Sequence, residues 1–205
     1  PEDNRRRSAA EEEAVVNEQY RRLLMSGNGP TSVDGYNMPV HHSKPGAANT
    51  LWINVQGAQI SGTAWNGGAA LHYTPYKRTT AGPTTFTDAE KAQISLIWSR
   101  IAEDFAPFDV DVTTEEPAVK TARTGTLAIT NDIDVDGVTQ MPSYGAGGVA
   151  YVNVWGSSSF VSKYSPAFVY YNRLGGGRND YVAEAASHEA GHNLGLSHDG
   201  TSTLG

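Results

Sequence analysis

Two stretches of the chain place apolar residues at helical spacing. Val16, Tyr20, Leu23 and Leu24 share one face, and Ser8 with Glu11 has the form of a capping box. Glu11–Glu13 near the start and Arg21–Arg22 near the end suit the helix dipole. Residues 1–26 are therefore expected to form a helical arm, an ordinary surface helix, with a pro-segment remnant or docking arm as the alternative. Residues 26–46 are rich in Gly, Pro, Ser and Asn and read as a linker. The second stretch is stronger. Thr87 and Glu90 form another capping box, and Ile94, Ile97, Trp98 and Ile101 make an apolar stripe, so the pattern predicts an amphipathic helix over 88–105 that Pro107 stops. Residues 108–114 alternate apolar and polar, as a half-buried strand does. Further strands are expected at 51–55 and 58–64, as a hairpin around Gly57, and at 126–130 and 148–155; a long loop is expected over 66–85. A last helix is expected from 179 or 180 to about 194. Short strands interleaved with long helices indicate an α/β (α+β) sandwich. The chain divides into an arm and linker, 1–47, and a main domain, 48–205.

Composition narrows the function. Of 205 residues, 39% are hydrophobic and 18% charged, and no apolar run approaches the roughly 20 residues of a membrane span. Net charge is −7 with no basic stripe, so neither a membrane nor a nucleic acid is an expected partner. Cysteine is absent, which excludes disulfides, thiol nucleophiles and thiolate metal sites. The chain begins at Pro1, for which a removed leader or a cut chain is the expectation.

One segment carries chemistry. Residues 188–199 read H-E-x-x-H-x-x-G-x-x-H-D. His188 and His192, four apart on a helix, project from one face and can grip one ion. Glu189 lies roughly 100° round the helix, displaced from a ligand position but near enough to touch a water on the metal. Gly195 can take a positive φ and let the chain leave the helix sharply, so that a turn returns His198 as a third nitrogen ligand. Three His ligands leave a fourth position open, the mark of a catalytic zinc site. Zn²⁺ on His188, His192 and His198 would acidify water toward a pKa of about 7, and Glu189 would act as general base and then deliver the proton to the leaving amine. Asp199 is expected to be structural, and Glu184 a solvated helix charge or a group orienting a ligand.

The segment resembles the metzincin metalloproteases. Asp199 directly after the third His is similar to the adamalysin, or reprolysin, branch. Residues 103–114 (EDFAPFDVDVTT), 147–151 (GGVAY) and 184–188 (EAASH) look like secreted bacterial reprolysin-like metallopeptidases. The resemblance spans roughly 48–205. It implies a secreted, extracellular bacterial zinc endopeptidase acting on proteins or peptides. It also implies a metzincin-like catalytic domain: a twisted mixed sheet, a backing helix, an active-site helix and an antiparallel edge strand that holds substrate. That edge strand is placed at 148–155, with Gly148, Val149, Ala150 and Tyr151 as substrate-contacting residues. Metzincins carry a Met-turn after the third His, whereas Met25, Met38 and Met141 all lie before it. The lower C-terminal subdomain with the Met-turn is therefore expected to be missing from this chain, through truncation, an early stop, or a nick after Gly205. A nick, possible through autoproteolysis, would leave the chain's own C-terminal fragment as a bound partner.

Other readings stay open. Asp132, Asp134 and Asp136, followed by Gly137, resemble the start of a calcium loop, although residue 143 is Ser where a Glu would be expected; a solvated acidic turn is the alternative. His41 and His42 could form a second metal site or an inhibitory contact, and His72 reads as a loop residue. Trp52, Trp65, Trp98 and Trp155 read mostly as core residues, with Trp155 also a candidate to line the cleft. As whole functions, the alternatives are a zinc- or calcium-binding adhesive surface module without catalysis, or a peptidase restricted to glycoproteins.

Overall fold

Two capping boxes start two of the three α-helices among the described residues. A computed structural model describes residues 8–27, 29–30, 32–34, 37–77 and 85–198. Asp199 and the 200–205 segment lie outside the described residues, as does the 78–84 part of the expected loop. In α1 (Ala9–Met25), the Ser8 side chain accepts from the Glu11 N–H, and the Glu11 carboxylate accepts from the Ser8 N–H in return. In α2 (Asp88–Asp104), Thr87 and Glu90 do the same. Each box satisfies backbone donors that the first helical turn leaves without partners. The third helix, α3 (Asn179–Asn193), starts after Arg178 with no side-chain cap.

The strands are β1 (Ser32–Val33), β2 (Pro39–Val40), β3 (Asn49–Asn54), β4 (Ala58–Ile60), β5 (Leu71–Tyr73), β6 (Val110–Thr113), β7 (Thr124–Thr130), β8 (Gly148–Val149) and β9 (Ala167–Tyr170). Five of them form the central sheet in the order β6-β3-β7-β9-β8. The pairs β3–β6, β3–β7 and β7–β9 are parallel, and β8 alone runs antiparallel, on β9. This is the mixed α/β sheet with a backing helix and a motif-bearing helix that the sequence implied.

Both α2 and α3 pack on one face of the sheet. Ile94, Ile97 and Ile101 of α2 are fully buried against Leu51, Ile53, Val112 and Leu127. Burial of each such side chain stabilises the fold by about 2 kcal/mol. The opposite face carries Ala128, Phe168 and Tyr170, covered by Leu71, Tyr73 and Met141. β7 is buried along its whole length because it is central and covered on both sides.

Several local expectations are corrected. Residues 51–55 and 58–64 do not pair with one another: β3 enters the central sheet, and β4 pairs with β5 inside the expected loop. Gly57, at φ 72°, turns the chain off the sheet; a methyl there would lie 2.6 Å from the Tyr73 carbonyl. β9 carried no expectation at all. The expected strand at 148–155 is only two residues long, for a reason given below. Leu24 is 46% exposed, whereas Val16 and half-buried Tyr20 and Leu23 hold α1 to Ala92 and Leu96 of α2. Trp155 turns inward instead of lining the cleft: its indole occupies the space a side chain at Gly125 would fill.

The linker is also more ordered than its composition suggests. Residues 41–43 run antiparallel along the outer edge of β6, with His42 opposite Thr113 and the Ser43 N–H donating to Val112. This strap explains why β6 is buried at every position rather than alternately. His41 is 1% exposed and stacks on Trp98 at 4.3 Å, with Nε2 2.8 Å from Ser95 Oγ. His42 lies between Asp111 and Glu115, at 2.7 and 2.9 Å. Both His42 nitrogens are thus occupied, and His41 is sealed under Trp98 with only its Nε2 bonded; neither belongs to a group disposed to hold a metal among the described residues.

Burial, and secondarily the neighbouring His42, pushes the His41 pKa down to about 4. For His42, burial acts downward but the hydrogen bonds to Asp111 and Glu115 outweigh it, and its pKa is raised. The His42 contribution is thus fully present below its unfolded value and is lost only as pH rises through the raised one. Between pH 6.5 and 4 the unfolded chain takes up a proton at residue 41 that the folded chain refuses. Stability therefore falls with pH across that window, by about 3 kcal/mol. The substitution His41→Gln is expected to remove this part of the slope in urea unfolding curves. An unchanged slope would contradict burial of a neutral imidazole.

Candidate active site

Small residues bring α3 close to the sheet. Ala183, Ala186 and Ala190 are buried against β7, β9 and α2, and Gly191 leaves room for Leu196. Ser187 Oγ donates to Asp104 at 2.6 Å, tying the motif-bearing helix to α2 one residue before His188; nothing in the spacing of the motif signals this contact. On the outer side of α3, His188 and His192 stand one turn apart, their ring centroids separated by 4.5 Å.

The chain then reverses. Gly195 has a φ of 101°, a value that L side chains rarely adopt. The Gly195 N–H donates to the His192 carbonyl and the Leu196 N–H to the Gly191 carbonyl, at 2.9 and 3.0 Å. These bonds close the helix end and return His198 to the two helical imidazoles. His198 Nε2 lies 3.0 Å from His188 Nε2 and 3.2 Å from His192 Nε2.

Three features show that these residues fit a zinc ion. Tetrahedral ligation with Zn–N near 2.0–2.1 Å places ligand nitrogens about 3.3–3.4 Å apart, close to both separations. His192 Nδ1 is 2.7 Å from the Leu196 carbonyl, which can only accept; the proton is therefore on Nδ1 and the Nε2 lone pair is free for a metal. Burial, and then the neighbouring His192 and His198, hold the His188 pKa below its ordinary value, which favours the neutral, ligating form. Among the described residues, these three histidines are the one group of three or more side chains disposed to hold a metal.

Glu189 lines the same cleft as the three imidazoles but is more deeply buried than they are. It is 6% exposed, and its Oε2 is buried without a hydrogen-bond partner. Burial pushes its pKa up to about 7, partly offset by His192. A carboxyl poised there can take a proton near neutral pH and give it back. The room for it comes from Gly148 of β8, where a methyl would lie 2.7 Å from Glu189 Oε1 and 2.8 Å from the Phe168 carbonyl.

Of the expected edge-strand residues, Gly148 and Val149 form β8, and Ala150 also lines the cleft. Tyr151 is used differently: its carbonyl accepts from Asn193 Nδ2 at 2.8 Å. Beyond it, the N–H groups of Asn153, Val154 and Trp155 donate to the His192 and Asn193 carbonyls. Residues 151–155 thus leave the sheet to satisfy carbonyls that the end of α3 would otherwise leave bare, which cuts β8 short.

The acidic turn has internal partners. Asp132 is 1% exposed and accepts from Asn172 Nδ2 and Arg173 Nε, both at 2.6 Å, and from the Gly145 N–H. Asp134 accepts from the His72 N–H, and Asp136 from Val138 and Thr139. These carboxylates hold turns and anchor the segment leading into β8. Among the described residues they do not form a group disposed to hold a metal, and Asp132 and Asp134, both buried, are not the solvated charges of the alternative reading either.

A cleft of about 630 Å³ joins these parts, running from the three imidazoles past Glu189 and Gly148 to Leu174 and Tyr181. The cleft thus holds three imidazoles able to bind one metal ion, a buried carboxyl beside them and a short open edge strand. Residues 105–199 match the model of the metallo-peptidase family M12B, reprolysin-like. The match takes in β6 to β9, α3 and all three histidines, and it supports a zinc metallopeptidase. No curated protein and no solved structure matches the chain.

The contact between β8 and Glu189 can be tested at one position. Gly148→Ala forces the edge strand and the carboxyl apart, at an expected cost of about 1–3 kcal/mol in denaturant unfolding, with zinc uptake retained. Unchanged stability would contradict the close approach.

Proposed function

We propose that the chain carries the catalytic centre of a secreted bacterial zinc endopeptidase, in which His188, His192 and His198 hold the metal and Glu189 moves the protons. The single observation that carries this reading is the pairing of a convergent His triad with a buried carboxylate oxygen, Glu189 Oε2, that has no partner among the described residues. A buried polar atom without a partner is costly, and a water held beside the metal would satisfy it.

Zinc, when bound, supplies Lewis acidity, making water a better nucleophile and stabilising the oxyanion that develops on the scissile carbonyl. Glu189 accepts the proton from the attacking water and delivers it to the departing amine. Its raised pKa suits both halves of that task. The Leu196 carbonyl keeps His192 in the tautomer that ligates. Gly148 and Val149 offer main-chain groups on the open side of β8, to which an extended peptide adds as a further strand. Leu194 and Leu196, 43% and 66% exposed beside the triad, form apolar surface suited to cover by further polypeptide. In this reading the chain's own C-terminal fragment supplies that cover.

Digestion of a mixed peptide library by the purified protein and by Glu189→Ala tests the proposal. Chelator-sensitive cuts are expected from the wild type, and the variant should lose about 10²–10⁴-fold in rate while still binding zinc. Equal cutting by both proteins would overturn the assignment of Glu189.

A further inference from the structure

The cleft extends well beyond the groups that perform hydrolysis. Past Gly147 and Gly148 it is walled by Leu174, Tyr181 and Ala185, with Glu184 on the same wall. Gly147 has no side chain, and a methyl there would meet Leu174 Cδ2 at 3.1 Å, so Leu174 closes this part of the cleft from behind. Tyr181 is 44% exposed. These three residues make this part of the cleft an apolar channel.

The charge in this part of the cleft is one-sided. Apart from the triad and Glu189, Glu184 is the one charged residue among those described as lining it. Glu184 is exposed and forms no ion pair among the described residues, and its field reaches His188. The nearest cation in sequence, Arg178, is already bound to Asp180 at 2.6 Å, with its guanidinium lying over the Tyr181 ring at 4.2 Å. Arg178 and Asp180 cancel each other, which leaves a negative wall above an apolar channel. The chain's net charge of −7 has the same sign.

We propose that this cleft selects peptides with a lysine or arginine next to the cut bond, and that Glu184 is the residue that sets this preference. The methylene stem of such a side chain packs on Leu174, Tyr181 and Ala185, and its cationic head reaches Glu184 at the solvent-exposed rim, an arrangement natural to long basic side chains. The inference rests on the peptidase reading above and adds the substrate class to it.

The test compares peptides that share one backbone and differ at a single position beside the cut: Lys, Arg, norleucine or Glu. Wild type is expected to favour Lys and Arg over norleucine by roughly fivefold in kcat/KM, as suits a partly solvated ion pair. Glu184→Gln should bring that ratio to about one without slowing norleucine cleavage, and Glu184→Lys should invert it in favour of Glu. Equal loss on every peptide in Glu184→Gln would mean that Glu184 acts only on His188 or on the fold, and would overturn the proposal. A preference untouched by either variant would do so as well.

A binding arm separates this from failure of the peptidase reading. Two hydroxamates, one with a butyl and one with an aminobutyl side chain, are titrated calorimetrically into the zinc-loaded protein and into Glu184→Gln. Tighter binding of the amine by wild type, lost in the variant, supports the subsite even if no Glu189-dependent cleavage occurs. Equal affinities overturn the subsite even if cleavage is robust.

Discussion

The close approach of α3 to the short edge strand β8 is the constraint on which the site depends. Glu189 can be buried beside the three imidazoles only because residue 148 has no side chain and because Ala183, Ala186 and Ala190 let the helix lie flat on the sheet. The same approach puts the α3 carbonyls within reach of the N–H groups of residues 153–155. One packing decision therefore sets three things: the position of the carboxyl, the end of the helix and the length of the edge strand. The reversal at Gly195 then needs only a few residues to bring His198 to the other two imidazoles.

This arrangement is held at a cost. A carboxyl whose buried oxygen has no partner among the described residues, and three imidazole nitrogens crowded to about 3 Å, each work against stability on their own. The rest of the domain offsets them with ordinary means: two reciprocal capping boxes, a sheet covered on both faces, and a strap that seals β6. Such local conflicts concentrated at one place, within a fold that is otherwise consistent, are the pattern expected of a functional site.

Much of this was legible in the sequence because it is written in local spacing. The capping boxes of α1 and α2 follow from residues three apart, and the apolar stripe of α2 from residues three and four apart. The i, i+4 histidines face the same way for the same reason. What was hidden depends on distant partners. β9 is a fully buried run of four residues with no alternation to mark it. The strap at 41–43 looks like a linker because its bonds go to β6, some 70 residues away. Residues 151–155 have strand-like composition, yet the bare end of α3 claims their N–H groups. Asp132 reads as a calcium ligand until Arg173 and Asn172, forty residues on, are seen to occupy it.

The central claim is that His188, His192 and His198 form a single zinc centre with an open position. X-ray absorption at the zinc edge, on protein loaded with one equivalent of zinc, tests it most directly. The expected result is one tightly held ion with three imidazole nitrogens at about 2.0–2.1 Å and one lighter oxygen ligand, reduced to two imidazoles in His198→Ala. Failure to retain zinc, or a coordination shell unchanged by loss of His198, would contradict the account.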